Sequence, residues 1–349
     1  MTIKRAIPLL SILAISLAGC GGGSSGGSSG ARKEIRAVGS STVYPFATAI
    51  AETLTKEGKF TSPVIEATGT GGGIKLFCEG IGVAFPDVAN ASRRLKKSEY
   101  EDCAKKGVKD IVEVQIGLDG IAFAEANGGL NMKLTPTDVY KALAANPFGK
   151  PNIAKTWADV NPALPAAPIL VYGPPSTSGT RDALAELILT KGCDSDPAMK
   201  ALKDSDKDKH KDICTKVRDD GAYVDAGEND NLIVSKVSEN PKAVGVFGFS
   251  FLEANTDKIN GIPMGGVAPT YATISDFSYP GARPLYIYIK SAHLASIKGL
   301  KEFAAGFVAN WGPDGLLKKR GMVIAPDDVR ASNAKIVEGM TLLDPTTLK

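Results

Sequence analysis

Short apolar runs of strand character alternate with segments of helical period along almost the whole 349-residue chain. No other feature narrows the fold as far, because such alternation builds α/β architecture, with sheets covered by helices on both faces. Glu34–Val38 reads as a short strand and Val64–Ala67 as another. Between them, Val43–Glu57 places Val43, Phe46, Ala47, Ile50 and Leu54 on one helical face. A short helix starts at Ile74, and Val112–Ala124 is a long β run interrupted by Gly117 and Gly120. Ile169–Tyr172, Val244–Phe247 and Pro284–Ile289 are further strands, and Thr180–Thr190 and Leu300–Ala309 are helices. The length suggests two globular lobes, and 43% apolar residues suffice for a sizeable core.

The N-terminus carries an export pattern. Lys4 and Arg5 precede an apolar run from Ala6 to Ala18, too short for a stable span, which needs roughly 20 apolar residues. The run ends in Leu17-Ala18-Gly19-Cys20, which resembles a bacterial lipobox, so residues 1–19 are expected to be a signal peptide and Cys20 the lipidated first residue. Residues 21–30 are only Gly and Ser, a flexible tether of roughly 17 Å r.m.s. reach. The expected place is the periplasm or cell surface, held to the membrane by lipid.

The formal charge of +3 falls to +1 once Lys4 and Arg5 are removed. A nearly neutral body has no basic field for nucleic acid. With Cys20 lipidated, Cys78, Cys103, Cys193 and Cys214 remain, an even number that favours disulfides in an exported chain. Three pairings are possible; Cys78–Cys103 and Cys193–Cys214 are preferred because each closes a local loop. No CxxC and no Cys/His cluster speaks for a metal, and no cofactor is expected. Lys203–Lys211, a dense run of mixed charge, reads as a solvated loop pinned by the second disulfide. His210 and His293 read as surface residues.

Three strand-to-helix junctions are rich in small donors: Gly39-Ser40-Ser41-Thr42, Gly69-Thr70-Gly71-Gly72-Gly73 and Ser176-Thr177-Ser178-Gly179-Thr180-Arg181. Each sets backbone N–H groups and hydroxyls at a helix N-terminus, where the unpaired donors and the helix dipole favour an anion. Taken singly, each is more often a helix cap; three from distant parts of one exported chain tip the reading toward an oxyanion cradle. The second junction lacks the GxxxxGK[ST] spacing, with Leu76 where a magnesium-binding hydroxyl would stand. Outside the Gly/Ser tether there is no GxSxG nucleophile elbow, and no catalytic residue is expected.

The first and third junctions, extended to Gly39–Phe46 and Ser178–Arg181, resemble signature segments of PstS-type phosphate-binding proteins. Asn90-Ala91-Ser92-Arg93, Gly227-Glu228-Asn229-Asp230-Asn231 and Arg283-Pro284-Leu285-Tyr286-Ile287-Tyr288 extend the resemblance over essentially the whole mature chain. It implies a two-lobe, type II periplasmic-binding-protein fold with two hinge strands crossing near Ile116–Ala124 and Ala282–Ile289. Lobe I would comprise residues 31–117 and 283–349, and lobe II residues 118–282. The family's ligand positions fall on Ser41 and Thr42 with neighbouring Ser40, on Thr70, and on Ser178, Gly179 and Thr180. The sequence departs from the family pattern twice. Arg93 stands where well-known members have an aspartate, and Pro174 where they have an arginine, with Arg181 after the motif instead. Arg93 and Arg181 are therefore candidate ligand cations. Asp119, in the expected crossing strand, is the candidate acceptor for a phosphate proton, with Glu228 the runner-up. The resemblance implies a monomer that captures inorganic phosphate for the permease subunits of an ABC importer. A phosphate sensor or scavenger would share the same lobes; a phosphate-ester hydrolase would need metal ligands or a nucleophile–base pair.

Overall fold

The computed structural model describes residues 32–349, apart from residues 57, 59, 177 and 228. The expected signal peptide, Cys20, the tether and Glu228 lie outside the described residues. The strands are β1 (Arg36–Gly39), β2 (Val64–Ala67), β3 (Val88–Ala91), β4 (Ile111–Ala126), β5 (Val171–Gly173), β6 (Tyr223–Asp225), β7 (Val244–Gly248), β8 (Ile259–Gly261) and β9 (Ala282–Lys290). They are joined in the order β2-β1-β3-β9-β4-β7-β5-β6, with β8 added beside β4. β1 runs parallel to β2 and β3, and β5 parallel to β6 and β7, each pairing joined through helices. The alternation read from the sequence is this pattern of parallel units.

β4 and β9 hold the two groups of strands together. They pair antiparallel from Ile111↔Lys290 to Gly120↔Ala282, with a register shift between Gln115 and Gly117. Val112, Val114 and Ile116 of β4 enter one core with Ile50, Phe303 and Phe307, while Leu118, Ile121 and Phe123 enter the other with Trp157, Ile188 and Phe247. One strand thus feeds both of these cores, and its first residue, Ile111, enters a third with Phe77, Tyr286 and Tyr288. Gly117 and Gly120 do not interrupt it, contrary to expectation. At Gly117 a Cβ would sit 2.5 Å from the Met322 sulfur, so the glycine serves close packing, not a break. The C-terminal tail is also more divided than expected: Val337 joins the first core, but Val323 and Ala325 join the second.

Lys203–Lys211 is not a loop. Helices Pro197–Ser205 and Lys207–Thr215 fill it, capped by Asp196, which accepts from Ala198 N–H at 2.8 Å, and by Asp206, which accepts from Lys209 N–H at 3.0 Å. Asp206, read as a loop charge, is an N-cap like Asp196 before it, and such caps stabilise a helix whatever the charge density beyond them. The disulfides are Cys78–Cys103 and Cys193–Cys214, as preferred. Neither histidine is a surface residue. His210 is buried 2.7 Å from Asp194, and His293 is buried between Asp87, 2.7 Å away, and the Gly82 N–H, 2.9 Å away. A carboxylate partner for each, and for His293 a partner on both ring nitrogens, offsets the burial of a side chain that composition alone would leave outside.

Lys290, at the end of β9, is buried with its ammonium donating to the Gly80 carbonyl at 2.6 Å and lying over Phe77 and Phe85. Burial pushes its pKa down to about 8, only partly offset by Asp87. This folded value lies below the unfolded value of about 10.4, so between the two the unfolded chain binds more protons and stability rises with pH. Urea midpoints at about pH 7.5 and about pH 9.5 should show this rise in the wild type and a smaller one in Lys290→Met. Equal pH dependence in both proteins would remove Lys290 as the cause.

Candidate functional site

β1 ends in the Ser40–Thr42 turn, which leads into helix α1 (Tyr44–Lys56). Ser40 builds the turn: its N–H donates to Asn90 O at 2.9 Å, and its hydroxyl accepts from Val43 N–H at 3.3 Å. Ser41 and Thr42 are thereby turned outward, toward the opposite half of the molecule. There, the helical stretch that starts at Gly179 is capped by Ser178, whose hydroxyl accepts from Thr180 N–H at 3.2 Å. The two turns touch. A Cβ on Gly179 would lie 2.5 Å from Thr42 Cα and N, so only glycine allows the approach. The stretch widens to a π-helix over Leu184–Leu189, a local irregularity found often at functional sites.

Ser41, Thr42, Asp119, Ser178, Gly179 and Thr180 line one cavity of about 430 Å³, with Tyr44, Asp230, Ser250, Phe251 and Arg320. Arg283 lies behind three of these residues, bonded to Thr42, Asp119 and Gly179. The guanidinium is 3% exposed and fully engaged: Nε donates to Asp119 at 3.1 Å, Nη1 to Glu186 at 2.9 Å, and Nη2 to Thr42 Oγ1 at 2.5 Å and Gly179 O at 3.3 Å. It ties β9 and β4 to both turns. Thr42 in turn donates to Gly179 O at 3.1 Å, and Ser41 donates to the Asp182 carboxylate. A buried cation held by several acceptors at once is costly to break. The cavity therefore has hydroxyl and backbone donors from distant segments and a rigid charged group behind them.

The remaining expected residues have partners elsewhere. Thr70, the first residue of helix α2 (Thr70–Phe77), is buried against Ser92, accepting its N–H at 3.1 Å and lying 2.9 Å from its hydroxyl. Arg93 forms a fork with Glu99, 2.8 and 2.9 Å long. Burial opposes the charge on both side chains, yet their mutual bonds more than offset it, raising the arginine's pKa and lowering the glutamate's. Arg181 lies 4.2 Å over the Tyr223 ring and donates to Pro174 O at 3.4 Å. Burial lifts the Tyr223 hydroxyl to about 12 against the pull of that arginine, so it stays a donor, to Pro174 O at 2.7 Å.

Sequence reasoning missed Arg283, Asp182 and Arg320. Arg283 had a signal, a lone charge opening an otherwise apolar strand. Asp182 had none, because an acid in the first helical turn is ordinary. Arg320 sits in the run Lys318-Lys319-Arg320, which reads as surface charge.

An α/β body with helix N-termini converging on one cavity is the architecture of a solute-binding receptor. The PBP superfamily domain matches residues 24–310, and the chain belongs to that superfamily. Within it, the chain belongs to the PstS-type phosphate-binding proteins, as its resemblance implied. It is 31% identical over 296 residues to the phosphate-binding protein PstS of Staphylococcus saprophyticus, covering 83% of this chain and 80% of that one. It is likewise 31% identical over 303 residues to the protein SphX of Synechococcus elongatus, covering 84% and 78%. Among solved structures, a possible phosphate-binding protein from Planctomyces limnophilus superposes with a TM-score of 0.71 at 26% identity, over 88% of this chain and 98% of that one. An ABC-type phosphate transport receptor from Vibrio cholerae shares the fold, with a TM-score of 0.56 at 20% identity over 83% and 99%. The family is one of binding receptors, and the protein is not an enzyme. No helix among the described residues is long and apolar enough to cross a membrane.

Proposed function

We propose that this protein is an exported, lipid-anchored receptor that captures inorganic phosphate between two lobes and delivers it to the permease of an ABC importer. The observation that carries the reading is the meeting of Ser41 and Thr42 with Ser178, Gly179 and Thr180 around one cavity, from segments more than 130 residues apart. Hydroxyls and free N–H groups at helix starts can replace the hydration of an oxyanion without a full counter-charge. The lobes are residues 31–117 with 283–349, and 118–282. β4 and β9 supply the crossings, since each continues from one core toward the other, and closing about them would sequester the ligand. Thr70, Arg93 and Arg181 belong to the wider shell of the site, and the phosphate-binding names of the family's members accord with the ligand. Calorimetry of ligand-stripped protein against phosphate, arsenate and sulfate tests the reading directly. Absence of phosphate binding would end it.

The anchor has its own test. Cys20→Ser should release the body from the membrane fraction once the signal is removed, because no helix among the described residues is long and apolar enough to hold it there. Thiol titration of the unfolded, unreduced mature protein should find none of Cys78, Cys103, Cys193 and Cys214 free. Membrane retention of Cys20→Ser would overturn the lipid anchor.

A further inference from the structure

Neither of the expected ligand cations, Arg93 and Arg181, lines the cavity. Arg283 has donors on all three guanidinium nitrogens engaged by Asp119, Glu186, Thr42 and Gly179. Arg93 is committed to Glu99, and Arg181 lies on Tyr223. Among the described residues lining the cavity, Arg320 is the only Lys or Arg. Its guanidinium reaches Glu52, at 3.4 Å, and both side chains are about half exposed, at 50% and 51%. An exposed pair at that distance holds little energy and yields readily to a better partner.

The backbone after Arg320 is fixed where the two cores meet. Leu118 of β4 and Val323 exchange N–H···O bonds of 2.8 and 3.0 Å, Met322 packs on Gly117, and the Tyr271 hydroxyl donates to Ile324 O at 3.0 Å. Gly321 also lies against Ser250, on the far wall of the cavity. Residues 321–325 therefore form a strap beside β4, and the strap delivers Arg320 to the cavity wall. We propose that Arg320 is a ligand-binding residue of this site: it leaves Glu52 and donates its planar fork to two oxygens of the bound oxyanion. The inference rests on the phosphate reading. A guanidinium suits the task because its fork matches paired oxygens, which an ammonium cannot do.

Phosphate titration calorimetry and stopped-flow association on the full mature chain test this. Arg320→Gln should weaken phosphate by about ten-fold and flatten the fall of association rate with salt, with little change in thermal midpoint. Arg320→Lys should restore the salt dependence but only part of the affinity. Glu52→Gln should tighten phosphate about two-fold by freeing the arginine. Lys318→Gln, which removes the same charge outside this cavity, should stay within about two-fold of wild type. Wild-type affinity in Arg320→Gln, with Ser41→Ala impaired, overturns the inference and leaves the phosphate reading intact. Equal losses in Arg320→Gln and Lys318→Gln also overturn it, since they would mark a general field and not a contact. A wild-type protein that binds no phosphate overturns both.

Discussion

Ser41→Ala and Ser178→Ala are each expected to weaken phosphate binding about 10- to 150-fold, the range set by a hydrogen bond to a charged group worth roughly 1.5–3 kcal/mol. The two losses should differ in kind. Ser41 has no capping role; its hydroxyl points across the cavity to Asp182. Its removal should therefore cost affinity with little change in the stability of the ligand-free protein. Ser178 caps the stretch from Gly179 through the Thr180 N–H. Its removal should cost about 1 kcal/mol of stability as well, the usual worth of an N-cap. Calorimetry gives the affinities and urea unfolding of the stripped protein the stabilities. If both variants bind phosphate as wild type does, the oxyanion sits elsewhere. If Ser41→Ala loses stability in proportion to affinity, the hydroxyl is a structural strut.

The fold was legible because its elements are periodic. β2 matches the expected span, and β1, β4, β7, β9 and α1 agree within a few residues at each end. Polarity misled where it stood in for structure. His210, His293 and the aspartates before Pro197 and Lys207 all look like solvent-facing residues, and each is instead a satisfied partner, with Asp194, with Asp87, or with a helix N-terminus. The site was half legible. Small residues at helix starts mark where an anion can bind, since the donors belong to the backbone and the hydroxyls beside it. Charged side chains carry no such mark, because a long arginine reaches whichever partner the tertiary fold supplies. Thus Arg93 and Arg181, conspicuous in sequence beside the motifs, found Glu99 and Tyr223, while Arg283, more than 100 residues from either turn, came to hold both.

Asp119 and Asp230 line the cavity and Asp182 holds the Ser41 hydroxyl; of these, Asp119 and Asp182 should affect selectivity in opposite ways. Near neutral pH phosphate retains a proton and can donate a hydrogen bond, whereas sulfate cannot. A fixed acceptor in the cavity therefore favours phosphate and repels sulfate through an unrelieved like charge. Arginine cannot be that acceptor, having only donors. Asp119 lines the cavity with Arg283 on its Oδ2, which holds the carboxylate in place and leaves Oδ1 able to accept. Asp182 instead takes the Ser41 hydroxyl that the oxyanion needs, so it competes with the ligand. Asp119→Asn should thus weaken phosphate and let sulfate compete, narrowing the ratio of the two affinities by ten-fold or more, about the worth of one charge-assisted hydrogen bond. Asp182→Asn should tighten both anions and leave their ratio nearly unchanged. Competition calorimetry with phosphate and sulfate on both variants separates the roles. Should Asp182→Asn be the variant that admits sulfate, the proton acceptor is Asp182 and Asp119 serves only to seat Arg283; should sulfate stay excluded in both, Asp230, which also lines the cavity, and then Glu228 are the next carboxylates to replace.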